Sequence, residues 1–291
     1  MCGGHVLLST VALLTPFPSK IVYNQTMKKP KTSWGNVAGW YDNLLEKSPD
    51  SYQEKVILPN LLRIVDPKPG QKILDIACGQ GYFSRILAKN GAQVTGCDIS
   101  SELIELAKKN SPKEITYFVA PAEKIIDPDT ANAEKSFDTA IIVLAIQNIE
   151  DMRAAFSESA RLLKSPDSKL GTTGRLIIVI NHPIFRIPQN SSWEWDAKAH
   201  KQYRRIDSYM TDNKIKIDMA PGGGAKGKAQ TISFHRPLQG YFKALNSAGF
   251  AVTRLEEWIS HKQSQEGPRA QEEDRTRKEI PLFMCIEARK L

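Results

Sequence analysis

The chain has 291 residues, 41% of them hydrophobic and 25% charged. That is ordinary for a soluble globular protein, and long enough for one large α/β core or two small ones. Four scattered cysteines (Cys2, Cys78, Cys97, Cys285), with no CxxC pair, argue against a disulfide framework or a zinc site and for a reducing, cytoplasmic compartment.

The net charge of +8 is local. Residues 1–33 hold Lys20, Lys28, Lys29 and Lys31 and no acid, and segment 182–236 holds ten Lys/Arg against five Asp/Glu. The apolar run 6–17 is too short to span a bilayer and has no positive charge before it. Residues 1–33 therefore read as a basic, disordered extension rather than a secretory signal, and Met27-Lys28-Lys29-Pro30 resembles a more usual start. No membrane association is expected.

From residue 34 the pattern becomes regular. Stretches 36–46 and 51–65 predict helices, the second with Val56, Ile57, Leu61, Leu62 and Val65 at helical spacing. Strands and helices then alternate. Strands are expected at 72–77, 93–98, 115–120, 137–145 and 175–181, and helices at 82–90, 101–110 and 151–164. The apolar strands imply a parallel sheet covered on both faces. Right-handed crossovers make it doubly wound, with ligands at the carboxyl ends of the strands.

Segment 182–236 breaks the rhythm. It carries Phe185, Trp193, Trp195, Tyr203, Tyr209 and Phe234 among its charges, and a hairpin is expected around Gly222-Gly223-Gly224. A helix at 238–248, stopped by Gly249, a strand at 251–258, a polar loop or exposed helix at 260–279 and a strand at 281–288 complete the chain.

The chemistry is carried by Ile73-Leu74-Asp75-Ile76-Ala77-Cys78-Gly79-Gln80-Gly81, a strand running into a glycine turn and then a helix. Gly79 and Gly81 let the backbone turn tightly and approach a ligand closely. A dinucleotide site would want a third glycine, where Ser84 stands, and no carboxylate beside its pyrophosphate, where Asp75 stands. Asp75 suits instead a ligand bearing an ammonium and a sulfonium. Asp98, 23 residues on at the end of the next strand, is placed to accept from both ribose hydroxyls.

Together with Gly96-Cys97-Asp98-Ile99-Ser100, Ala122-Glu123 and 137–151, this stretch resembles the class I S-adenosylmethionine-dependent methyltransferases of the small-molecule "type 11" kind. The resemblance covers about residues 36–181 and returns at His235-Arg236-Pro237-Leu238 and Ala248-Gly249-Phe250. It implies a Rossmann-like, doubly wound seven-stranded sheet with an antiparallel last strand. Residues 34–291 would form the methyltransferase domain. Because 182–236 leaves the carboxyl end of a parallel strand, the topology further suggests that it is a substrate-cap insertion after the fifth strand. S-adenosyl-L-methionine would be the cofactor. Asp75, Gly79 and Gly81 would hold its methionine part, and Asp98 the ribose. Ile99, Ala122 and Glu123 would meet the adenine, Leu144 would lie beneath the sulfonium, and Tyr41 would belong to a covering helix. Ala77 replaces a common glycine, and Pro121 stands where an acid often precedes Ala-Glu.

His182 and His235 fall at the ligand edge, and either could serve as general base if the acceptor must lose a proton. The charge and aromatic content of 182–236 point to a small, anionic or partly planar acceptor. Trp193, Tyr203, Arg204, Arg205, Arg236 and Arg269 are candidates to meet it. O-, N- and C-methylation stay open. Three other readings stand beside this one: a nucleic-acid methyltransferase, a non-catalytic cofactor-binding module, and a dehydrogenase. Leu144-Ala145-Ile146-Gln147-Asn148, in place of an Asp/Asn-Pro-Pro-Tyr/Phe, counts against the first; Asp75 and Ser84 count against the last.

Overall fold

The computed structural model describes residues 34, 49–126, 135–167, 169, 171–218 and 230–291. The expected helix at 36–46, Tyr41 within it, the turn at Gly222-Gly223-Gly224 and the extension 1–33 lie outside them.

Helix α1 (Leu58–Val65) is entered through a wider π turn, Gln53–Ile57. The sequence predicts one regular helix here. Pro59 has no N–H and its ring crowds the preceding turn, and one wider turn accommodates it. There follow β1 (Lys72–Ile76), α2 (Tyr82–Lys89), β2 (Gln93–Asp98), α3 (Ser101–Asn110), β3 (Thr116–Val119), β4 (Thr139–Val143), α4 (Met152–Leu162) and β5 (Arg175–Asn181). Two of these helices start where their caps predict. Ser100 accepts from the Leu103 N–H, and Asp151 from the Ala154 N–H.

The segment after β5 forms two hairpins, one more than expected: β6 (Ser191–Asp196) with β7 (Lys201–Ile206), and β8 (Asn213–Asp218) with β9 (Gln230–His235). The first escapes sequence reading because its short strands are charged and half-exposed. Helix α5 (Leu238–Ser247), strand β10 (Phe250–Trp258), helix α6 (Ala270–Glu279) and strand β11 (Phe283–Lys290) close the chain.

The main sheet has seven strands in the order β3-β2-β1-β4-β5-β11-β10, with β11 antiparallel to both its neighbours. This is the Rossmann-like arrangement expected. Strand alternation divides the core into two layers. Leu74, Ile76, Ala140, Ile142, Leu176, Ile178 and Ile180 pack on one face with α4 and α5. Ile73, Ile141, Val143, Ile177 and Val179 pack on the other with α1, α2 and α3. The order of strands reverses between β1 and β4, which pair in parallel. Their carboxyl ends part there and open a crevice.

Candidate active site

Two cavities meet at that crevice. One is a cleft lined by Asp75, Ala77, Cys78, Gly79, Gln80 and Tyr82 after β1, by Asp98 and Ile99 after β2, and by Leu144, Ala145, Asn148 and Ile149 after β4. The other is a larger cavity of about 600 Å³ between this cleft and the two hairpins. Trp34, Leu144 and Asn148 line both.

The cleft is built from strained and buried pieces. Ala77 and Leu144, the residues that follow β1 and β4, both take positive φ (57° and 53°). Such a conformation costs a non-glycine residue on the order of 1–3 kcal/mol and persists only where the surroundings impose it. At Ala77 a glycine would be at ease, so this departure from the family pattern carries strain. At Leu144 the N–H is held by the Val179 carbonyl at 2.7 Å, and the Leu144 carbonyl accepts from Gln147 Nε2 at 2.7 Å.

Asp75 is 2% exposed and accepts a 2.5 Å hydrogen bond from Ser84 Oγ. Ser84, which in sequence is only a missing glycine, is thus the partner that holds the key carboxylate. Burial pushes the Asp75 carboxyl up to about 7, with the nearby Asp98 adding to the effect. Asp98 accepts from the Gly79 N–H at 3.0 Å and the Ser100 N–H at 2.8 Å. Burial raises its carboxyl too. Neither acid has a cationic partner among the described residues. Gln80 is equally buried, and its Oε1 is taken by Arg85 Nη2 at 2.8 Å. Its Nε2 has no partner among the described residues.

Two uncompensated buried carboxylates and an orphaned amide donor define the ligand by difference. It must bring an ammonium group, hydroxyl donors and an acceptor. S-adenosylmethionine brings all three. Asp75 would hold its ammonium, Asp98 its ribose hydroxyls, and Gln80 Nε2 its carboxylate. When bound, this cofactor supplies an electrophilic methyl group on a sulfonium. Sequence reading missed Gln80; the only signal was its place between the two glycines.

The other expected residues separate. Gly81 lies behind the cleft and opens α2 at φ 80°. Ala122 is buried and Glu123 half-buried, and neither belongs to the cleft lining.

His182 is 1% exposed; its Nδ1 accepts from the N–H groups of Ile184 and Phe185, and its Nε2 donates to Glu257 Oε1 at 2.7 Å. Burial lowers its basicity, against the opposing pull of the Glu257 carboxylate. His235 donates from Nε2 to the Tyr209 carbonyl at 2.8 Å. Neither histidine is among the described lining residues of these two cavities. Both brace turns at the positions where the sequence suggested a general base.

Of the expected acceptor-binding residues, Arg204 lines the larger cavity, whereas Trp193, Tyr203, Arg205, Arg236 and Arg269 are not among its described lining residues. Tyr203 and Arg205 sit on the exposed side of β7, and Arg205 pairs with Asp207 at 2.6 Å. Trp193 lies under the Arg204 guanidinium at 5.2 Å, and Arg269 lies over Trp195 at 4.8 Å. Segments 182–236 and 259–280 touch each other, since the Gln202 N–H on β7 donates to Glu272 Oε1 on α6 at 3.2 Å. That contact joins the two segments to each other and places no residue of 259–280 in the larger cavity.

Arg236 donates to the carbonyls of Ile149 (2.8 Å) and Glu150 (2.7 Å) and stacks on Phe234 at 5.0 Å. It clamps the loop that carries Asn148. Hydrogen bonds from a charged donor are worth about 1.5–3 kcal/mol each. Arg236→Gln therefore lowers the melting temperature by about 4–8 °C and weakens cofactor and acceptor binding together, measured by thermal unfolding and calorimetry. Unchanged melting with a selective loss of acceptor binding would restore it to the substrate site.

Against known proteins, residues 74–167 match the family model described as a methyltransferase domain. A protein from Haemophilus influenzae is 26% identical over 255 residues, covering 85% of this chain and 92% of that one. The demethylmenaquinone methyltransferase of Paenarthrobacter aurescens is 30% identical over 136 residues, and the match spans about half (49%) of that enzyme. A crystallised S-adenosylmethionine-dependent methyltransferase from Mesorhizobium loti is 27% identical with a TM-score of 0.62, covering 80% of this chain and 96% of that one. The fold and cleft suit a domain that would bind a sulfonium nucleoside at the switch point of its sheet. With these relatives, residues 74–167 are a methyltransferase domain of the S-adenosylmethionine-dependent kind, and S-adenosylmethionine is its cofactor.

Proposed function

We propose that the protein transfers the methyl group to a small organic molecule held in the larger cavity. The observation that carries this reading is the shared wall. Leu144 and Asn148 face the cofactor cleft on one side and the larger cavity on the other. A molecule filling that cavity lies directly against the cleft, and methyl transfer needs little more than in-line alignment and exclusion of water. A volume of about 600 Å³ suits a metabolite-sized guest. The relative named demethylmenaquinone methyltransferase, matched over about half (49%) of its length, supports the same class.

Incubation with isotopically labelled methyl donor, cell metabolites and total RNA tests the reading. Label is expected in the small-molecule fraction. Label in RNA would replace the reading with nucleic-acid methylation. Binding of S-adenosylhomocysteine without any labelled product would leave a cofactor-binding module.

A further inference from the structure

Two arginines line the larger cavity together: Arg204, which the sequence offered as one candidate to meet an anionic acceptor, and Arg186, which it did not. Arg186 follows β5. Its Nη1 donates to Asn181 Oδ1 at 2.7 Å, and its guanidinium lies over the Phe283 ring at 5.2 Å. Arg204 comes from β7. Its Nε donates to the Phe185 carbonyl and its Nη2 to Ser191 Oγ, each at 2.7 Å. These contacts fix both side chains and use neutral acceptors only. Neither arginine has a carboxylate partner among the described residues, and Nη2 of Arg186 and Nη1 of Arg204 have no hydrogen-bond acceptor there.

The two charges also repel. Each guanidinium is partly desolvated, and Arg204 makes the charged form of Arg186 harder to hold. The carboxylate among the described lining residues, Asp218, lies on β8 beside Lys216, which also lines the cavity. Desolvating two like charges without an acid is costly. It is retained at a site that receives a negative charge from outside.

We propose that Arg186 and Arg204 form an oxyanion subsite in the acceptor cavity, so that the methyl acceptor is a small organic acid. This rests on the proposed small-molecule methyl transfer and names the chemical class of its acceptor. The planar guanidinium presents paired donors that match a carboxylate or a phosphate. The walls beside them, Phe283, Ile187 and Ile215, receive the organic part. The anion is held by binding alone, away from the transferred methyl.

The test is calorimetric binding of three small aromatic probes, benzoate, its neutral isostere benzamide, and phenyl phosphate, at constant ionic strength in the presence of S-adenosylhomocysteine. At least one anion is expected to bind ten times or more tightly than the neutral amide. Which anion does so separates carboxylates from phosphates. Arg186→Gln and Arg204→Gln should each remove most of that preference, Arg204→Lys should keep part of it, and S-adenosylhomocysteine affinity should stay unchanged in all three. Equal binding of benzamide, no binding of either anion, or a preference that survives both glutamine substitutions would overturn the subsite. Loss of S-adenosylhomocysteine binding by the wild-type protein would instead overturn the methyltransferase reading on which it rests.

Discussion

Asp75→Asn is expected to weaken S-adenosylhomocysteine binding by about a hundredfold, on the order of 3 kcal/mol, while making the ligand-free protein more stable at pH 8. The two effects have opposite signs because one group causes both. The carboxyl is buried and raised from its ordinary 3.8 to about 7. Between those values the folded state keeps a proton that the unfolded state has released. Stability therefore falls as pH rises from about 4 to about 7, and levels off above. Asparagine keeps an acceptor for Ser84 Oγ and removes that slope. Ligand binding follows the reverse dependence, because an ammonium group needs the ionised carboxylate. Affinity should rise about tenfold per pH unit up to about 7 and then flatten. Calorimetric titration from pH 5 to 8, with thermal unfolding of the ligand-free protein over the same range, measures both. A variant that lost affinity and stability together at pH 8 would show Asp75 to be a structural residue only.

The second large effect is expected at Gly81. A Cβ there would lie 2.5 Å from the Tyr117 hydroxyl oxygen and 2.9 Å from its ring carbon, and the backbone stands at φ 80°. Steric overlap and left-handed strain each cost about 1–3 kcal/mol. Gly81→Ala should thus lower the melting temperature by about 6–12 °C. Tyr117 cannot simply move aside, since its hydroxyl is bonded to Ser111 at 3.1 Å and its ring is buried. Adding Tyr117→Phe removes the nearest atom and should restore part of the loss. No recovery in the double variant would assign the whole cost to the backbone. A negligible loss in the single variant would mean that the turn yields easily.

Gly81 also explains a misleading feature of the motif. Its tolerance of φ 80° was legible as a tight turn, but the reason no side chain fits is Tyr117, which stands 36 positions on, on β3. Ser84 is similar. Alone it marks a departure from dinucleotide sites; only the folded turn brings its hydroxyl to Asp75.

What the sequence determined by itself was everything written in local period and local spacing. Apolar strands alternating with helices specified a doubly wound sheet. An acid, two glycines and a second acid at strand ends specified the cofactor cleft, because a parallel sheet gathers its carboxyl ends in one place. The tertiary structure alone decided the acceptor side. Arg204 and Arg205 are neighbours of equal charge, and the strand's two-residue period sends one into the cavity and the other to solvent. Nothing local sets that phase; it depends on which face of β7 the rest of the protein covers. The same holds for His182, His235 and Arg236. Each is a reasonable catalytic or binding residue by type and position, and each is spent on hydrogen bonds to partners far along the chain, at Glu257, Tyr209 and Ile149.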